Sequence, residues 1–176
     1  MDLLDLFDRG TEWSAGKIPA AEDKLDAPTP CDEWDVRTLL NHMLDTQEYF
    51  SATARGESPA LPSGTPSERI GDDPAKTYEQ TRQATLGAYR KPGVLEKTGP
   101  SLGIAFVDQL VHGWDLARAT GQDATMPDDL AQSAFQMIDG QLDGEERRGP
   151  AFKPAISVPD DASAQEKLLG YGGRQP

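Results

Sequence analysis

Asp108 and His112 stand four residues apart in "FVDQLVHGWDLARATG" (106–121), and His112 is one of only two histidines in the chain. On a helix, positions i and i+4 share a face, so the carboxylate and the imidazole project together, with Asp115 beside them. Phe106, Val107, Leu110, Val111, Trp114 and Leu116 occupy so much of the remaining surface that the helix is expected to be largely buried. A buried carboxylate or imidazolium without a partner is costly. Such a pair hydrogen-bonds to itself, holds a metal ion, or belongs to a stretch that is not helical after all. The second histidine, His42, lies in "TLLNHML", again inside an apolar stripe. Two groups from one helix and a third from a facing helix suit a metal in a bundle core. His42, Asp108 and His112 are therefore the candidate metal ligands. Asp115 is the candidate neighbour that orients His112.

Four other residues invite a chemical reading. Cys31 is the single cysteine, which excludes an internal disulfide and a multi-cysteine metal cluster, and it reads as a small buried hydrophobe. Trp114 has the setting of a core residue, and with Arg118 it is a candidate contact for a cofactor. Arg118 is also a turn from Asp115, which makes an ion pair the alternative. Arg174 could meet a carboxylate near the pocket, although solvation is the usual fate of a terminal arginine.

The elements that must hold these residues are helical. Leu3, Leu4, Phe7 and Trp13 predict a helix over 2–16, and "APTPCDEWD" breaks it. Asp35 then reads as an N-cap for a helix from Val36 to Ala54. The long loop "RGESPALPSGTPSERIGDD" follows, and loops of that length in a compact domain tend to be functional. Asp73-Pro74 opens the next helix, which runs to Pro92. "EKTGPS" reads as a brief connection to a helix over Leu102–Thr120, which Gly121 ends in a left-handed cap. A further helix is expected from Pro127 to about Leu142. "FKPAISVP" reads as extended, and Ser163 and Glu166 form a capping-box pattern before a short last helix. No period-2 run persists. The chain is expected to be all-α, one domain over 1–176, an antiparallel four-helix bundle with extra short helices.

Thirty acidic residues against seventeen basic ones give a net charge of −13, a field that repels nucleic-acid backbones and anionic membranes. The local run "EERR" (145–148) neutralises itself. No stretch approaches the roughly 20 apolar residues that span a bilayer. The start "MDLLDLFDRG" lacks the pattern of a signal peptide, so the cytoplasm is the expected compartment.

The strings "TPCDEWDVRTLLNHML", "FVDQLVHGWDLARATG" and "LLGYGGRQP" together resemble the actinobacterial mycothiol-dependent maleylpyruvate isomerase family, within the wider DinB-like superfamily. The resemblance implies a DinB-like four-helix bundle holding a divalent metal, commonly zinc, through His42, Asp108 and His112. It implies mycothiol as thiol cosubstrate and a small electrophile as its partner, in a monomer or homodimer. The isomerase proper has glutamate where Asp108 stands and carries a further C-terminal domain. Its relatives also have a longer connection where "EKTGPS" stands, so one wall of the pocket is expected to be missing here. The reaction implied is isomerisation or S-transfer by a metal-bound thiolate. The alternatives are a non-catalytic binding protein and a metal-dependent hydrolase.

Overall fold

Four helices begin where a short polar side chain can receive the first free backbone N–H groups. The computed structural model describes residues 2–62, 64–139 and 153–176. Asp2 caps α1 (Leu3–Ala15), Asp35 caps α2 (Val36–Ala54) through the N–H of Thr38, and Asp73 caps α3 (Pro74–Tyr89) through that of Lys76. Ser163 and Glu166 complete a capping box at the start of α6 (Ala164–Tyr171). Between them lie α4 (Val94–Thr120) and α5 (Asp128–Ile138), and a short 3-10 helix (Pro19–Lys24) follows α1. No strand is found among the described residues. No helix among them is long and apolar enough to cross a membrane.

One expectation is corrected. "EKTGPS" is not a connection but part of α4, which starts eight residues earlier than its apolar period suggests and carries Pro100 inside it. Proline removes a backbone donor and ordinarily ends or bends a helix. Here neighbouring hydroxyls bond back onto the turn: Thr98 Oγ1 donates to the carbonyl of Val94 (2.7 Å) and Ser101 Oγ to that of Thr98 (2.6 Å). Val94 and Leu95 pack against the core and hold the extension in place. The other end behaves as expected, with Gly121 in the left-handed region at φ 74°. The last residues of the expected 127–142 helix, from 140 on, and the "EERR" run lie outside the described residues.

Two apolar clusters define how the helices run. One joins Leu6 and Phe7 of α1, Phe50 and Ala54 of α2, Leu86 and Tyr89 of α3, and Leu102 and Phe106 of α4. The other joins Ile18 to Val36, Leu39, Leu40, Met43 and Leu44 of α2, to Tyr78 of α3 and to Leu116 of α4. The N-terminal halves of α1 and α4 thus share an end with the C-terminal halves of α2 and α3. So α1 and α4 point one way, α2 and α3 the other, and the long loop between α2 and α3 returns the chain across the bundle. That loop is pinned to α2: Asn41 Oδ1 accepts the N–H groups of Arg69 (2.5 Å) and Ile70 (3.0 Å).

A polar layer lies where α2, α3 and α4 meet between these clusters. Gln109 is fully buried. Its Oε1 accepts from Gln47 Nε2 (3.0 Å) and from Tyr78 Oη (2.8 Å), and its Nε2 donates to the carbonyl of Met43 (3.0 Å). Each buried polar atom that is paired in this way avoids a desolvation cost of about 1–3 kcal/mol.

A candidate metal centre between two helices

Antiparallel packing of α2 and α4 brings His42 against the turn that carries Asp108 and His112. The ring centroids of the two histidines are 4.8 Å apart and nearly perpendicular. Asp108 Oδ1 stands 3.5 Å from His42 Nε2 and 3.5 Å from His112 Nε2. These are long for direct hydrogen bonds. They match the roughly 3.4 Å edge between nitrogen and oxygen ligands held about 2.0–2.2 Å from a tetrahedral ion. One donor atom from each residue falls within 4.8 Å of the others, and all three side chains are buried. The donor set and its spacing fit a divalent ion such as zinc.

The surrounding groups orient all three side chains. Gln109 Nε2 donates to Asp108 Oδ2 (3.2 Å), which leaves Oδ1 toward the imidazoles. The Trp34 ring lies 4.7 Å from that of His42 and covers it. His112 Nδ1 is 2.9 Å from Asp115 Oδ2, so the ring donates there and turns Nε2 toward Asp108. Asp115 is in turn held by two bonds from Arg174, whose Nε donates to Oδ1 (3.2 Å) and whose Nη2 donates to Oδ2 (2.7 Å). Arg174 is only 3% exposed.

Cys31 completes this rear layer. Its Sγ lies 3.3 Å from Asp115 Oδ2, 3.3 Å from Arg174 Nη2 and 3.9 Å from His112 Nδ1. The loop that delivers it is tied by Thr29, whose hydroxyl accepts from the N–H of Cys31 (3.1 Å) and donates to the carbonyl of Trp34 (2.8 Å). Glu33 takes a left-handed φ of 65° in that turn.

Burial would neutralise these groups one by one, and their mutual attraction prevents it. Burial opposes charge on Asp108, but His112 and His42 outweigh it and hold the carboxyl far below the usual range. Burial likewise opposes charge on His112, but Asp108 first and Asp115 next raise the imidazole well above its ordinary value. For Asp115 the desolvation is overcome by the charge of Arg174 and the bonds from His112 and Arg174, which bring it down to about 2.

The sequence-based candidates His42, Asp108, His112 and Asp115 are brought together. Trp114 and Arg118, expected as cofactor contacts, are placed elsewhere. The Trp114 ring joins the apolar cluster with Leu110, Leu130 and Leu168, and the exposed Arg118 guanidinium lies 5.5 Å over it. Asp115 therefore has Arg174, not Arg118, as its arginine partner. Cys31 is the residue that sequence reasoning did not bring to the site, while Arg174, expected either to meet a carboxylate near the pocket or to be solvated, meets Asp115. For Arg174 the signal in the sequence was slight: a buried Asp115 needs a cation, and an arginine near the end of the chain could supply it.

Comparison with known proteins points to one family. Residues 11–117 match the family model described as the mycothiol maleylpyruvate isomerase N-terminal domain. Two uncharacterized proteins of Mycobacterium tuberculosis, one from strain CDC 1551 / Oshkosh and one from strain ATCC 25618 / H37Rv, are each 29% identical over 99% of this chain and 98% of their own length. No solved structure matches the chain.

Proposed function

Because the chain belongs to the mycothiol maleylpyruvate isomerase N-terminal domain family, we propose that it binds one divalent metal ion, zinc by preference, and acts on a small electrophile with a low-molecular-weight thiol, mycothiol. One observation carries the metal reading: a single carboxylate oxygen, Asp108 Oδ1, stands at the same 3.5 Å from two imidazole nitrogens on different helices. Three protein ligands leave a position open, and an ion held there would supply a site at which a thiol is bound as its thiolate.

The chain's own residues prepare that chemistry. Asp115 keeps the Nδ1 proton of His112 in place, and Gln109 fixes the free oxygen of Asp108. Trp34 shields His42 from water on one side. The reaction class that follows is addition of the thiol to an electrophilic carbon. One S–C bond forms as the π bond of the electrophile's conjugated double bond breaks, and the thiol proton passes to the neighbouring carbon. Retention of sulfur gives S-transfer, whereas rotation and expulsion of the thiol give isomerisation. A net charge of −13 opposes the approach of a dianion, so a neutral electrophile and S-transfer are favoured. A cytoplasmic setting, where such thiols are kept reduced, accords with the reading.

The test uses cobalt(II) in place of zinc. Wild-type protein should take up one ion per chain, and adding mycothiol should produce a sulfur-to-cobalt charge-transfer band. His42→Ala should lose both while its helical circular dichroism persists. A cobalt spectrum indifferent to thiols, with ester or amide substrates turned over, would replace this reading with a hydrolase.

A further inference from the structure

Behind His112 is a second set of metal-type donors, which shares only that histidine with the three already described. Cys31 Sγ, His112 Nδ1 and Asp115 Oδ2 lie within 4.8 Å of one another, and all three residues are buried. Thiolate, imidazole and carboxylate are a donor set suited to zinc or cobalt. A cation already stands at this set. Arg174 Nη2 is 2.7 Å from Asp115 Oδ2 and 3.3 Å from Cys31 Sγ, and its Nη1 is anchored on the carbonyl of Gly172 at 2.7 Å.

We propose that Arg174 is the resident cation of this rear site: by filling the position between Asp115 and Cys31, it denies these donors to a second metal ion and keeps Asp115 as the partner of His112. The consequence is specific. His112 has two nitrogens, and a metal on Nδ1 would make its ring a bridge between two ions. With Arg174 in place, Nδ1 is committed to Asp115 and only Nε2 faces His42 and Asp108. An arginine suits this task, since its guanidinium keeps its charge when buried and grips a carboxylate with two parallel bonds. The part of the proposal that concerns the His42 side rests on the metal reading above. The rear donor set does not.

The experiment titrates full-length protein with cobalt(II) alone, no thiol being added, and reads both stoichiometry and absorption. Wild type should take one ion per chain without a sulfur-to-cobalt band. Arg174→Gln should take a second ion and show that band, and adding Cys31→Ser should remove both. Arg174→Lys, which keeps a cation, should behave as wild type. Arg174→Met, which keeps an unbranched buried side chain, stands in if the glutamine form does not fold. An arginine-free variant that folds but shows no Cys31-dependent band overturns the proposal, as does a wild-type protein that already shows one. If wild type takes no cobalt while Arg174→Gln takes one ion with the Cys31 band, the His42–Asp108 assignment fails and the rear site stands.

Discussion

His112 Nδ1 and Asp115 Oδ2 are 2.9 Å apart with both side chains fully buried, and this contact decides which ring nitrogen faces His42 on α2 and Asp108 on α4. Changing Asp115 to Asn should weaken zinc binding about 10–100-fold, the usual effect of losing a group that orients a ligand. Asp108→Asn should weaken it by considerably more, because a negatively charged donor is lost outright. Competition with a chelator of known affinity measures both. Equal losses would mean that the two acids have exchanged roles.

Metal uptake should displace protons. In the metal-free protein His112 titrates well above its ordinary value, so at neutral pH it carries a proton that an ion must expel to bind. The sign follows: affinity for zinc rises as pH rises toward that elevated value and falls as pH is lowered. Calorimetry in two buffers of different ionisation enthalpy should register proton release on binding. Identical affinities at about pH 6 and about pH 8 would contradict the coupling.

Gln109→Leu should destabilise the fold by roughly 2–4 kcal/mol, since it leaves Gln47 and the Tyr78 hydroxyl buried beside an apolar side chain. It should also loosen the metal centre, because Asp108 Oδ2 loses its donor. Urea denaturation gives the first quantity and chelator competition the second. A variant as stable as wild type would show that this polar layer is not the constraint it looks to be.

Gly113→Ala should cost about 1–3 kcal/mol, the ordinary penalty of overpacking. A methyl group there would run into the Ser14 side chain and come within 2.9 Å of the Trp13 ring. Helix α1 touches α4 at this point, and Ser14 Oγ also donates to the carbonyl of Gln109 at 2.8 Å. Thermal unfolding of Gly113→Ala should therefore occur several degrees lower. An unchanged transition would mean that α1 withdraws without cost.

Much of this molecule was legible because its signals are local. Asp35, Asp73 and Ser163 announce helix starts through capping chemistry that involves three or four neighbouring residues, and all three cap as expected. The i, i+4 spacing of Asp108 and His112 likewise needs only a helix to bring the two together. Pro100 misled, because its local effect is to stop a helix, while packing of Val94 and Leu95 carries α4 through it. The 3-10 helix over Pro19–Lys24 has no apolar period long enough to read. Cys31 was hidden for a different reason, and for the same reason Arg174 could be read as meeting a carboxylate but not as meeting Asp115. They stand 84 and 59 residues from Asp115 along the chain, and no spacing rule connects a loop and a tail to the middle of a helix.

Cys31 is the sole thiol in the chain, it is 3% exposed, and its sulfur is enclosed by Asp115, His112 and Arg174. An alkylating reagent can reach it only when the loop before α2 or the tail that carries Arg174 lifts from α4, an opening whose frequency is set by local stability. The protein therefore carries its own counter of such events. The slow rate at which this sulfur is labelled would record how often the rear of the centre comes apart. A cell rich in small disulfides would face the same delay before exchanging with it.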